Sequence, residues 1–175
     1  MKRAAIVLLN FNDSLLINDV LKLLEKEFNW NCELIVPNFD LQKIFSPERE
    51  QYFSTKILEQ AIIEYYQFDK ILILTDFDLF IPVLTFVFGE AQLNGKSAIV
   101  SSHRLHNEFY GLPTDEKVYR SRLIKEIFHE IGHTYGLKHC DDWNCVMHSS
   151  SNIDEVDIKS DSFCSKCWRL IEMKF

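Results

Sequence analysis

An α/β fold, with a mixed and mostly parallel twisted sheet and an antiparallel edge strand, is what this 175-residue sequence predicts. Three observations carry the prediction. Short apolar runs alternate with stretches whose apolar residues recur at helical spacing, the pattern of parallel strands joined by helices. Asn94-Gly95, a favoured two-residue hairpin turn, lies between two strand-like segments and adds the antiparallel strand. A hydrophobic fraction of 47% over this length fills one good core and falls short of two, so residues 1–175 read as a single domain.

The elements follow in order. From Ala4 to Phe11 an apolar run suits a buried strand, and Asp13 can cap a helix in which Leu16, Val20, Leu24 and Phe28 share one face. Cys32, Leu34 and Val36 alternate with other residues up to Pro37, as a second strand does. After a polar loop, Ile57, Leu58, Ala61, Ile62 and Tyr65 make an apolar stripe behind Ser54. KILILTDFDLFI, starting at Lys70 and ended by Pro82, is the third strand, and FVFGEAQLNGKSAIVSS supplies the hairpin. A helix is expected after Pro113-Thr114, running to about Gly136, and beyond it irregular chain until a last short helix starting near Ser162. No repeat, low-complexity segment or linker interrupts the chain.

Charge excludes one class of partner. With 26 acidic against 19 basic residues the net charge is −7, and no run of Lys or Arg is dense enough to neutralise a phosphate backbone, so no nucleic acid is expected. MKRAAIVLLNF begins like a secretion signal, but Asn10, Asn12 and Asp13 interrupt the apolar stretch early, and a first strand is the better reading. No segment approaches the roughly 18 consecutive apolar residues of a membrane span. The expectation is a cytoplasmic monomer that binds no membrane.

HEIGHTYGLKHC, from His129 to Cys140, carries the chemistry. On a helix, His129 and His133 are separated by about 40° and roughly 6 Å along the axis, so both imidazoles can reach one metal ion. Glu130 lies beside them and can serve as general base for a metal-bound water. In a continuing helix His139 would lie about 15 Å up the axis and about 80° off the metal face, so the helix has to stop. Gly136 can stop it, because glycine accepts the left-handed conformation, and His139 can then fold back as third ligand. Three histidines leave the fourth tetrahedral position open, the mark of a catalytic zinc. An isolated H-E-x-x-H arises by chance on many helices; the extended form followed by Met147 is far more restrictive.

HEIGHTYGLKH followed by Met147 resembles the metzincin clan of zinc metallopeptidases. Adding Cys140, Cys145-Val146-Met147 and Cys164-Ser165-Lys166-Cys167 makes the match one to the archaemetzincins in particular, over His129 to Cys167. The gap between Met147 and Cys164 is slightly shorter than is usual in the family. The resemblance implies a zincin-like fold and peptide-bond hydrolysis, with His129, His133 and His139 on the catalytic zinc, Glu130 as general base and acid, and Met147 as an apolar floor beneath the histidines. It also implies that a substrate peptide adds to the edge strand within residues 86–101. Tyr135 and the residues after Met147 are where a specificity pocket is to be sought.

The cysteines need a separate reading. Were Cys140 a ligand of the same ion as His139, four protein ligands would close the site. Neighbouring side chains on an extended or turning segment also point apart. Cys140 and Cys145 on one loop, with Cys164 and Cys167 at a helix start, instead make four thiolates for a structural zinc, the second ion per chain. Two disulfides, a redox CxxC and reduced core cysteines are the alternatives. A subdomain from 137 to 175, set against 1 to 136, has too few apolar residues to fold alone, and a metal would supply the missing stability. Cys32 reads as a buried small hydrophobe, and His103, His106 and His148 as surface or rim residues. The rival to an enzyme is a zinc-stabilised peptide-binding module with little turnover, against which the intact Glu130 argues.

Overall fold

A computed structural model describes residues 1–174. The chain runs β1 (Lys2–Leu9), α1 (Ser14–Phe28), β2 (Trp30–Ile35), β3 (Phe45–Ser46), β4 (Gln51–Phe53) and α2 (Ser54–Glu64). It continues through β5 (Lys70–Thr75), β6 (Leu79–Phe80), β7 (Gly89–Ala91), β8 (Ser97–Ser101), α3 (Glu116–Thr134), α4 (Ile153–Ile158) and α5 (Ser165–Glu172). The main sheet has the order β2-β1-β5-β8-β7. Its first four strands are parallel, and β7 alone runs antiparallel, with Glu90 opposite Ile99.

Successive residues of the central strands enter different cores. Ala4, Ile6, Leu72, Leu74, Ala98 and Val100 face a cluster shared with α1 and α3, whereas Ala5, Val7, Ile71, Ile73 and Ile99 face one shared with α2. Burial on both faces is why these strands read as continuous apolar runs. Cys145, Val146, Met147, Val156, Cys167 and Ile171 belong to the same cluster as α1 and α3, so the C-terminal segment has joined that core. Among the described residues no helix is long and apolar enough to cross a membrane.

Four local expectations are corrected. KILILTDFDLFI is not one strand: β5 ends at Thr75, and Leu79–Phe80 pairs with β4 in a separate sheet of order β3-β4-β6. Arg104 draws the intervening chain aside through both oxygens of Asp78, at 2.7 and 2.8 Å. The hairpin turn is wider than two residues, since Gln92 N–H donates to Ser97 and only Asn94, with φ 58°, is left-handed there. Asn94 N–H donates to the His133 carbonyl at 2.9 Å, so the turn is shaped by docking on the end of α3. Ser54 does not cap α2; its hydroxyl bonds to the Phe80 carbonyl and the Glu90 carboxylate. The stretch expected to be irregular contains α4, capped by Asn152, whose side chain accepts from Glu155 N–H. Asn152-x-x-Glu155 is a helix-start signature that the sequence does carry.

Helix α3 starts at Asp115, which accepts from the N–H groups of Lys117 and Val118. It ends at Gly136, φ +86°, with Leu137 N–H donating to Gly132 and Gly136 N–H to His133. That pair of bonds is the Schellman arrangement, which satisfies the last carbonyls and reverses the chain. Lys70 secures the same end: its buried ammonium donates to the Gly95 carbonyl and to the carbonyl and hydroxyl of Thr134, at 2.9 to 3.0 Å. It also lies 4.2 Å above the Tyr135 ring.

Burial pushes the Lys70 pKa down to about 7, whereas an unfolded lysine titrates at about 10.4. Between these values the unfolded chain binds more protons, so this group makes stability rise with pH across that window. The urea-unfolding free energy of the wild type should therefore gain on that of Lys70→Met as pH rises from about 7 towards 10. A constant difference across the window would refute the assignment.

Candidate metal centres and cleft

One face of α3 presents His129, Glu130 and His133, and the reversal at Gly136 brings back His139. The ligating nitrogens of the three histidines all lie within 4.8 Å of one another. Nδ1 of His129 is 2.8 Å from the Val146 carbonyl, and Nδ1 of His133 is 2.8 Å from the Leu137 carbonyl. A carbonyl can only accept, so each Nδ1 carries the proton and each neutral ring turns an Nε2 lone pair inwards. Those two Nε2 atoms are 3.1 Å apart. Two lone pairs facing at that distance need a cation between them, and burial lowers the proton affinity of all three imidazoles, so a proton is disfavoured there. Three imidazoles turned to one point fit zinc, and the half-open setting of His139, exposed where His129 is buried, leaves one side accessible.

Met147 lies fully buried beneath this group. A Cβ on Gly132 would stand within 2.3 Å of its sulfur, so only glycine at that point of α3 lets the methionine pack there. A glycine inside a helix costs about 1 kcal/mol relative to alanine, which is the one sequence signal that could have singled out Gly132.

Glu130 is 5% exposed, and burial, reinforced by the nearby Glu126, raises its pKa well above the usual carboxylate range. Its side chain presses on the edge strand. A Cβ on Gly89 would lie 2.7 Å from Glu130 Cγ, 2.9 Å from its Oε1 and 2.7 Å from the Ile99 carbonyl oxygen. Gly89, which the sequence did not mark, thus sets how close β7 comes to the carboxylate. The cleft above has a volume of about 650 Å³, and Gly89, Glu130, the three histidines and Ser149 are among the residues lining it.

The four cysteines Cys140, Cys145, Cys164 and Cys167 form the second group, their sulfurs likewise within 4.8 Å of one another. All five cysteines are free. Cys140 and Cys164 sulfurs are 3.9 Å apart, nearly twice a disulfide bond length of about 2.05 Å. Burial opposes ionising Cys164, yet the Cys167 backbone N–H and the neighbouring thiols bring its pKa below the usual value, as a thiolate ligand requires. Cys164 also caps α5. The two groups meet at residues 139 and 140, and Cys140 N–H donates to the Met147 carbonyl at 2.9 Å.

Other sequence readings divide. Cys32 is half-buried, not fully buried, on β2, the edge strand of the main sheet among the described residues; burial still pushes its thiol up to about 11. Tyr135 is not among the residues lining the cleft: it is 2% exposed and its hydroxyl accepts from Trp30 Nε1 at 3.0 Å. Ser149 and Ser150, just after Met147, do line the cleft. His103 and His106 contact Phe109 and Tyr119 and stand apart from both ligand groups. His148 packs at a tilt against Trp143, and its Nδ1 donates to the Cys140 carbonyl at 2.9 Å.

Comparison with known proteins places the chain among zinc peptidases. The model of peptidase family M54 matches residues 32–173. The chain is 41% identical to the archaemetzincin of Methanocaldococcus jannaschii over 162 residues, covering 89% of this chain and 88% of that protein. The crystal structure of archaemetzincin from Methanopyrus kandleri superposes with a TM-score of 0.87 at 32% identity, covering 98% of this chain and 94% of that one. A zinc-dependent peptidase from Methanocorpusculum labreanum superposes with a TM-score of 0.84 at 34% identity, over 96% and 99% of the two chains.

The contact at Gly89 can be tested by stability alone. Gly89→Ala should destabilise the fold by about 1–3 kcal/mol, the usual cost of overpacking. In a Glu130→Ala background the cost should shrink, because the contacts with Glu130 Cγ and Oε1 are gone. Equal costs in both backgrounds, measured by urea unfolding, would show that β7 does not press on Glu130.

Proposed function

The chain belongs to peptidase family M54 and is a zinc metallopeptidase of the archaemetzincin type, and we propose that Glu130 and two metal centres carry its hydrolysis of peptide bonds. In this reading His129, His133 and His139 hold the catalytic zinc, and Cys140, Cys145, Cys164 and Cys167 hold a structural zinc. The observation that carries it is the convergence of the two Nε2 lone pairs, 3.1 Å apart, beside a buried carboxylate.

A zinc ion bound by the three imidazoles would supply Lewis-acid polarisation of the scissile carbonyl and make an attacking water more acidic. Glu130 takes the proton of that water as it adds to the carbonyl carbon, and returns it to the amide nitrogen as the C–N bond breaks. The products are a carboxylic acid and a free amine, between which a proton passes to leave a carboxylate and an ammonium. A cation beside Glu130 favours its ionised form and offsets the burial that raises its pKa. The carbonyls of Val146 and Leu137 hold the proton on Nδ1 of His129 and His133, keeping Nε2 available as ligand. The unpaired edge of β7 offers backbone groups to an extended peptide, and Gly89–Ala91 runs along the cleft.

We read the chain as one catalytic domain, with residues 1–136 carrying the sheet and α3, and 137–175 held down by the four thiolates. Free cysteines suit a reducing compartment such as the cytoplasm, and a net charge of −7 suits no nucleic acid. A monomer acting on peptides is the simplest arrangement consistent with a site built wholly from one chain.

Glu130→Gln should lower kcat at least about 1000-fold while both zinc ions stay bound; activity equal to the wild type would refute the role. Elemental analysis should find two zinc ions per chain in the wild type. His133→Ala should lose one and keep its fold, whereas Cys164→Ser should lose the other and unfold at lower temperature. A wild type holding a single zinc would overturn the two-centre reading.

A further inference from the structure

One cluster in the cleft has no part in the reaction above. Lys159, just beyond α4, is 1% exposed, and its Nζ lies 2.8 Å from Oε1 of Glu126, itself 3% exposed. Both line the cavity that holds His129, Glu130 and His139. Glu126 precedes Glu130 by one helical turn, so the two carboxylates share a face of α3. Lys159 Nζ also donates to the His148 carbonyl at 3.4 Å. Two buried polar atoms here lack a hydrogen-bond partner among the described residues. They are Glu126 Oε1, which meets Lys159 as an ion pair without hydrogen-bond alignment, and the hydroxyl of Ser150, which lines the same cavity.

A pair serving stability alone is a poor bargain, because apolar side chains of similar volume do as well or better in a core. Buried polar atoms without partners are also rare in native proteins and need an account. We propose that Glu126, Lys159 and Ser150 form a specificity subsite for a side-chain carboxamide, that of Asn or Gln, next to the scissile bond; this rests on the peptidase reading above. The carboxamide N–H donates to Glu126 Oε1, and its carbonyl accepts from the Lys159 ammonium or the Ser150 hydroxyl. Charge selects it over the alternatives. Lys159 and Glu126 sum to zero, so an acidic side chain would add an uncompensated anion beside Glu126 and Glu130, and a basic one an uncompensated cation beside Lys159. An apolar side chain would leave Glu126 Oε1 and the Ser150 hydroxyl without a hydrogen bond and would shut water out.

The test uses the zinc-loaded full chain and a set of quenched fluorescent peptides identical except at the residues flanking the scissile bond, which are Gln, Asn, Met, Glu or Lys. Peptides with Gln or Asn should show kcat/KM at least tenfold above those with Met, Glu or Lys. Glu126→Gln leaves Lys159 uncompensated and should move the preference to Glu by at least tenfold. Wild-type rates that do not distinguish Gln from Met, or a ranking that Glu126→Gln leaves unchanged, would overturn the proposal and make the pair structural only. Calorimetric titration of Glu130→Gln with the same peptides gives a readout without cleavage or a change at Glu126, and should rank Gln at least tenfold tighter than Met. Equal affinities there overturn the subsite. Tighter binding of the Gln peptide with no cleavage by the wild type would instead defeat the proposed function and leave the subsite standing.

Discussion

Two imidazoles are all that one helical face can bring to a point, because 3.6 residues per turn carry any third histidine of this spacing away from the first two. Everything at the centre of this molecule depends on the chain reversing after α3. Gly136 makes the reversal possible with its φ of +86°, and the bonds from Gly136 and Leu137 back to His133 and Gly132 fix it. The Leu137 carbonyl released by that turn is the one that orients His133. One backbone conformation therefore ends the helix, returns His139 and sets the tautomer of His133.

The surrounding parts converge on the same end of α3. Lys70 on β5 binds its last carbonyl, that of Thr134, and Asn94 at the tip of the hairpin donates to His133. The edge strand is thereby tied to the helix whose carboxylate it must approach, and the absence of a side chain at Gly89 sets the distance. From below, the Val146 carbonyl orients His129 while Met147 fills the space opposite Gly132. Val146 lies between Cys145 and Met147, so the cysteine group and the histidine group are braced by one short stretch of backbone. Holding the cysteines together positions the histidines as well.

The buried parallel strands were legible because burial on both faces demands unbroken apolar runs, as in Ala4–Leu9 and Lys70–Thr75. The histidine and cysteine groups were legible because metal chemistry restricts both residue type and spacing, which already separates His139 from Cys140 in the sequence. Less legible were the points where the chain answers to distant neighbours. Phe77 to Ile81 reads as more strand, yet the salt bridge between Arg104 and Asp78 helps carry it into a second sheet. Asn94-Gly95 reads as a two-residue turn, yet the end of α3 reshapes it.

Read alone, the sequence determined the α/β class, the helix carrying His129, Glu130 and His133, the need for a break at Gly136, and the grouping of four cysteines. These follow from local rules, namely periodicity, helical geometry and ligand chemistry, which act over a few residues at a time. Only the tertiary structure decided that Gly89 abuts Glu130, that Gly132 admits Met147, and that Lys159 pairs with Glu126 across 33 positions of sequence. A glycine in a strand or a lysine in a polar stretch looks the same wherever its neighbours lie. What gives each its role is the atom it meets, and that is set by how the whole chain closes on itself.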